Sequence, residues 1–310
     1  MHIHFPLRFL SVVILLLGFV ACAEQGQPEV DEMSALLTEA KANPTKESLN
    51  SYFDKVTSFI QVHKDDSALI NPVMQEAANF AGAQNQHSKA ISYLIPLLRN
   101  STTDCKVDPN QVLSLAQSMN SLNKKHAAKV IYKNYKSQYE NAPEDQALET
   151  LMTDEVASLQ AYVDTTFQAV FADPDQYGLN RAAALKYVDV VEAYALSAPC
   201  DKASPEYLYK ASEIARSIRT LPKALSIYDW ILEDYPEYEK TPTVFFLKGF
   251  ILENDVKDEE AARNIYNEFL EKYPQHEMAD DVKFLLENMG RSDEEILKFL
   301  EKKREGDEKQ

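Results

Sequence analysis

The feature that most constrains this chain is a four-residue pattern that occurs twice in its last third. Ala224, Tyr228, Ile231 and Pro236 stand in the order small, aromatic, apolar, proline, and Ala262, Tyr266, Phe269 and Pro274 repeat it with the same gaps. Every member is displaced by 38 positions (262 − 224, 274 − 236). A fixed period of this length implies a supersecondary unit that cannot bury its apolar face alone and stacks on copies of itself. The residue types point to a pair of antiparallel helices. Such helices approach closely only where a small side chain faces the partner, the role assigned to Ala224 and Ala262. Large apolar residues one and two turns later fill the space between units, and proline, lacking an N–H, ends the run. Ser204-Pro205 and Thr241-Pro242 open the first helix of each copy, because proline is tolerated in a first turn.

Weaker copies precede these. Ala90 and Leu94 mark a second helix, as do Ala128 and Tyr132, and Ala90 and Ala128 are again 38 apart (128 − 90). Asn71-Pro72 and Asp108-Pro109 are read as starts of the matching first helices, which pack through Met74, Ala77, Ala78 and Ala81 and through Leu115, Ala116 and Met119. Upstream, Glu29 to Lys41 and Thr45 to His63 read as two helices with Asn43-Pro44 as cap and first-turn proline. Leu49, Tyr52, Phe53, Val56, Phe59 and Ile60 form a stripe at helical spacing. The middle reads as a degenerate repeat with one long first helix, Asp145 to Ala172, and a second, Leu179 to Leu196. Between them DPDQYG resembles the start of a calcium loop but fails as one, with Tyr177 where an oxygen ligand belongs and Ala184 where the closing Glu belongs. Near the end, Met278 to Met289 reads as a further first helix. Ser292 and Glu295 make a capping box for a last helix carrying Ile296, Leu297, Phe299 and Leu300. With only 7 glycines and no long alternating β-branched runs, the fold class expected is all-α, a helix-turn-helix solenoid.

The repeat pattern resembles the tetratricopeptide repeat (TPR), and the phrase FLEKYPQHEMADDVKFLLENMG resembles repeats of bacterial envelope TPR lipoproteins. The resemblance spans about Asn71 to Met289, with its best motifs in the last third. It implies a non-enzymatic scaffold or adaptor that binds partner proteins on a superhelical groove, with roles such as outer-membrane assembly. A second reading is a surface glycan-binding lipoprotein on a helical-repeat frame. Such proteins usually carry Trp-rich insertions, whereas this chain has one Trp, Trp230, and no large insertion.

The amino terminus reads as an export signal. Arg8 precedes a nearly continuous apolar run, Phe9 to Val20, which is short for a membrane span. Phe19-Val20-Ala21-Cys22 resembles a bacterial lipobox, in which the Cys is lipidated and becomes the mature N-terminus; Phe19 departs from the usual Leu. That reading makes Cys22 the lipid anchor and places the protein in a cell envelope, at the outer membrane. Ala21-Cys22-Ala23 also fits ordinary signal cleavage before Glu24, and an uncleaved anchor is a third possibility. The resulting organisation is a signal segment (1–21), a tether (22–31), N-terminal repeats (32–143), a degenerate middle repeat (144–203), C-terminal repeats with a capping helix (204–302) and a charged tail (303–310).

A net charge of −17 without a basic stripe argues against nucleic acid as a partner. His63, His87, His126 and His276 lack a neighbouring ligand at metal spacing, and no HExxH, paired CxxC or GxSxG occurs, so neither cofactor nor metal nor catalytic centre is expected. Adjacent acids such as Glu259-Glu260 and Asp280-Asp281 point about 100° apart on a helix and cannot share a proton locally. Cys105 and Cys200 each lie in a loop before a proline-started helix, and an exported chain meets oxidising conditions, so a disulfide is one expectation. Regular stacking would separate those loops by two repeats, beyond the roughly 7 Å between alpha carbons that a bridge tolerates, so two free thiols is the other.

Overall fold

The computed structural model describes residues 27–100, 107–139, 143–152, 158–171 and 178–292, with the single positions 294, 295, 297 and 298. Among the described residues the fold is all-α, with no strand, and helices pack sequentially as in a helical-repeat solenoid. No described helix is long and apolar enough to cross a membrane. Two compact units form, Met1–Asn123 and Lys124–Gln310. The division falls inside the hairpin expected between Pro109 and Tyr135.

The first unit contains α1 (Gln27–Ala42), α2 (Lys46–Val62), α3 (Ser67–Ala83), α4 (His87–Asn100) and α5 (Pro109–Ser121). Each packs on the next, and α5 also reaches α3. Tyr52, Phe53 and Phe80 form a ring cluster that Tyr93 extends into α4, with Tyr52 edge-on to Phe80 at 5.4 Å and Phe53 stacked on Tyr93 at 6.2 Å. Helix starts correct the sequence reading in three places. The expected tether already turns helical at Gln27, where Pro28 sits harmlessly in the first turn and Glu29 complements the helix dipole. At α2 the cap is Thr45 rather than Asn43: its hydroxyl accepts Ser48 N–H and Ser48 answers on the Thr45 backbone, a reciprocal box that leaves Pro44 outside the helix. At α3 the chain enters at Asp66, whose carboxylate accepts Leu69 N–H at 3.1 Å, so Pro72 lies within the helix rather than at its start. A side-chain cap that satisfies an orphan N–H outranks a proline as a start signal.

The second unit opens with α6 (Lys125–Gln138), the helix expected around Ala128 and Tyr132, and α7 (Gln146–Glu149), α8 (Leu159–Ala169) and α9 (Arg181–Ser197) stand where the degenerate repeat was expected. The single long first helix is broken. After α7 comes a 3-10 turn, Thr150–Met152, and α8 starts afresh behind Ser158, whose extended backbone (φ −153°) lets its hydroxyl accept Ala161 N–H. Most of the DPDQYG segment lies outside the described residues. Helix α9 packs on α6, α8 and α10, and it buries residues over most of its circumference, including Tyr187, Val190 and Tyr194. Its remaining side carries Lys186, Asp189 and Glu192, and Lys124 and Lys223 pair with Asp189 and Glu192 at 2.8 Å each.

The C-terminal repeats are α10 (Ser204–Ser217) with α11 (Leu221–Asp234), α12 (Thr241–Ile251) with α13 (Glu259–Lys272), and α14 (Ala279–Asn288). Their period is written into the backbone. Before α10 the bonds are Ala198 N–H to Tyr194 O, Asp201 N–H to Ala198 O and Ser204 N–H to Asp201 O; Tyr235, Tyr238 and Thr241 repeat them before α12, and Tyr273, His276 and Ala279 before α14. Ser204 and Thr241, both buried, donate their hydroxyls back into this loop, to the carbonyls of Ala198 and Tyr235. One left-handed residue stands in each of the turns that follow α3, α5, α10 and α12. These are Asn85, Asn123, Arg219 and Lys257, and within each unit the pair is 38 apart (123 − 85, 257 − 219). A π-helical turn, Leu252–Val256, follows α12. It absorbs one extra residue, because Thr241 to Lys257 is 16 steps where Ser204 to Arg219 is 15, so helix starts recur after 37 positions and later landmarks after 38.

Ala90, Leu94, Ala128, Tyr132, Ala224, Tyr228, Ala262 and Tyr266 are all buried, none more than 1% exposed. Replacing Ala224 or Ala262 by Leu is therefore expected to cost about 1 to 3 kcal/mol through overpacking, read as a lowered urea midpoint with unchanged slope. The capping box after α14 is present, with Ser292 N–H donating to Glu295 at 2.8 Å and Glu295 N–H to the Ser292 hydroxyl. Of the apolar residues assigned to the last helix, Leu297 is 60% exposed and the rest lie outside the described residues, as does the tail 303–310.

Candidate functional site

The buried tyrosines carry chemistry that their core positions did not suggest. Tyr228 donates its hydroxyl to Glu213, and Tyr266, its repeat equivalent, donates to Glu253 at 3.0 Å. Tyr132 donates to Glu149 at 2.7 Å and accepts Asp145 N–H, fixing α7 against α6. The hydrogen bonds from Tyr132 and Lys136 hold the Glu149 carboxyl below the usual carboxylate range. Each pair satisfies a phenol inside the hairpin core, as a buried hydroxyl requires. Only a hydroxyl-bearing ring at a core slot hinted at this in the sequence.

Because Ser204, Thr241 and Ala279 occupy one loop position, residues five further on fall at one register of successive first helices: Tyr209, Phe246 and Phe284. All three are aromatic and at least partly exposed. Phe246 stacks on Phe250 at 6.3 Å, and Phe250 and Phe284 are each 37% exposed. Lys240 Nζ stands 5.0 Å above the Tyr209 ring. Beside this row, a depression of about 700 Å³ lies between the start of α10 and the loop before α12, lined by Lys202, Pro205, Tyr235 and Lys240 among others. Glu206 sits within it. Burial pushes its carboxyl up, but hydrogen bonds from Lys240 at 2.7 Å and Tyr238 more than reverse this and leave it below the usual range.

In the first unit a row of carboxamides runs beside the Lys41–Glu76 ion pair, 3.6 Å long. Gln111 donates to Gln75 at 2.6 Å and Gln75 to Asn79 at 3.0 Å, an amide ladder from α5 to α3. A depression of about 630 Å³ borders it, lined by Lys41, Gln75, Glu76 and Asn79 among others. A recess of about 200 Å³ between α3, α4 and α5 shares Asn79 and Ala83 with that depression.

The histidines are dispersed. His63 bonds Glu29 at 2.9 Å, tying α2 to α1; His126 meets the Tyr162 hydroxyl at 2.6 Å; His276 accepts Met278 N–H; and His87 borders the recess. Among the described residues no group of three or more His, Cys, Asp or Glu is placed to hold a metal ion. Glu259 and Glu260 lie in the first turn of α13, and Asp280 and Asp281 in that of α14, where acids complement the helix dipole. Trp230 is buried in α11. Cys200 is disulfide-bonded. Cys22 and Cys105 lie outside the described residues. A scan against protein-family models and a search of curated proteins found no match to this chain.

Proposed function

We propose that the chain is a scaffold that binds other proteins along the exposed faces of its first helices. The observation that carries this reading is the aromatic row Tyr209, Phe246 and Phe284. A core explains why repeat positions inside the hairpins stay apolar. It does not require a partly exposed position to be aromatic on three successive first helices, α10, α12 and α14, and exposed rings suit a protein interface. The amide ladder of the first unit offers donors and acceptors of the kind a polypeptide backbone needs. The resemblance to envelope TPR lipoproteins supports the same reading, and with it an envelope location through acylation of Cys22. Acyl chains contribute about 0.8 kcal/mol per buried methylene, so several on one cysteine hold an acidic domain at a bilayer without protein contacts.

One experiment examines both parts. Cells fed a labelled fatty acid would express wild type, Cys22→Ala and the double variant Phe246→Asp/Phe284→Asp, and each protein would be captured from solubilised membranes after crosslinking. The expected result is label and membrane fractionation for all but Cys22→Ala, and loss of a discrete set of crosslinked proteins from the double variant. Identical crosslinked sets for wild type and double variant would remove the scaffold reading, and a soluble, unlabelled wild type would remove the anchor.

A further inference from the structure

The recess in the first unit is built differently from a packing defect. Its polar lining is Asn79, His87, Ser114, Gln117 and Ser118, over a floor that includes Ala90 and Leu94. A packing defect is apolar and stays dry, whereas this space could hold roughly six waters by volume and is ringed with hydrogen-bonding groups. Gly82, inside α3, opens onto it: a Cβ built there would meet no heavy atom within 4 Å. His87 Nδ1 is shielded from solvent and has no hydrogen-bond partner, a condition native proteins seldom leave standing. The amide ladder takes up the Asn79 carbonyl and leaves its amide N–H groups without an acceptor among the described residues.

We infer that the recess receives a carboxamide side chain, Asn or Gln, from an extended polypeptide that crosses α3 and continues into the adjoining depression of about 630 Å³. The inference rests on the scaffold reading and names the ligand chemistry of one of its faces. No Lys, Arg, Asp or Glu lines the recess, so a charged side chain would be buried there without a counter-ion. An apolar one would leave His87 Nδ1 without a partner. A carboxamide carries a donor and an acceptor together, so it serves His87 Nδ1 whichever ring nitrogen bears the proton, and its carbonyl can take the Asn79 N–H. The occupant is a chain rather than a free small molecule because Asn79 and Ala83 line both the recess and the depression, making one continuous path over α3. A polypeptide suits that path better than an oligosaccharide, since no Trp, Tyr or Phe ring lines the recess to stack on a sugar.

The test begins with linear peptides selected by phage display on the intact chain, synthesised with a fluorescent label and titrated by anisotropy. Peptides bound by the first unit are expected to share an Asn or Gln at one position. Changing that residue to Asp or Glu should weaken binding at least tenfold. Gly82→Leu, which fills the recess, should do the same, while Gly82→Ala keeps most of the affinity and both variants keep wild-type helicity and melting. Equal binding to wild type and Gly82→Leu would overturn the recess and leave the scaffold reading standing. Selection of no peptide by the intact chain would count against both. Chitotetraose binding that Gly82→Leu abolishes would give the recess to a glycan and overturn the inference.

Discussion

The unit formed by residues 124–310 is expected to lose its helices cooperatively as the pH rises from 10 to about 11, close to where free tyrosine ionises. Tyr187, Tyr194, Tyr228 and Tyr266 are at most 1% exposed. Burial is the first cause that pushes each phenol far above its ordinary value. Nearby groups add to it: Tyr207 and Asp164 for Tyr187, Asp201 for Tyr194, Glu213 for Tyr228 and Glu253 for Tyr266. The folded chain therefore keeps protons that the unfolded chain releases. Stability from this source is intact below pH 10 and falls as the pH climbs past it. At pH 11 each phenol costs the fold about 1.4 kcal/mol, and the four together about 6, within the 5 to 15 kcal/mol that usually holds a domain together. Far-ultraviolet circular dichroism and tyrosinate absorbance should change together. If the phenols titrate near pH 10 while the helices persist, their burial has been misjudged.

Gly249→Ala is expected to destabilise the same unit by about 2 to 3 kcal/mol, although alanine is the better helix former. A Cβ at this position of α12 would lie 2.3 Å from Cε1 and 2.6 Å from Cδ1 of Tyr266. The ring has nowhere to go, because it is fully buried and its hydroxyl is held by Glu253 at 3.0 Å. The clash belongs to one pair, so a double-mutant cycle should find it. In a Tyr266→Leu background the added methyl should cost far less, a coupling of about 1 to 3 kcal/mol in denaturant melts. Equal costs in both backgrounds would show that the helices do not cross at this point.

The period was legible because small and aromatic residues recur at fixed intervals, and the eight packing positions it named are buried. The close crossing at Gly249 had a faint signal that was passed over: Ser212, 37 positions earlier (249 − 212), is also small and fully buried. Helix starts were misjudged where proline was trusted over a side-chain cap, as at Asp66 and Thr45. The packing of α9 on α6 was not read from the sequence, because its buried residues spread over most of its circumference and leave only a narrow polar side through Lys186, Asp189 and Glu192. No motif or period singled out Gln75, Asn79 and Gln111 in the sequence. Their ladder, and the recess beside it, depend on the spacing of α3, α4 and α5.

The π turn after α12 lets the chain change its surface without disturbing its interior. An added residue would ordinarily rotate every later side chain by about 100°. Here it is confined to one wide turn, and two residues trade duties across it. In the preceding hairpin the carboxylate that serves the core tyrosine is Glu213; its counterpart by helix register, 37 positions on, is Phe250. Glu253, lifted by the turn, serves Tyr266 instead, and Phe250 is released to lie outward beside Phe246. A single insertion thus converts an acidic rim position into an apolar one at no cost to the buried hydrogen bond. Shortening the turn by one residue should force the two demands back onto one site, where either the phenol or the surface ring must go without.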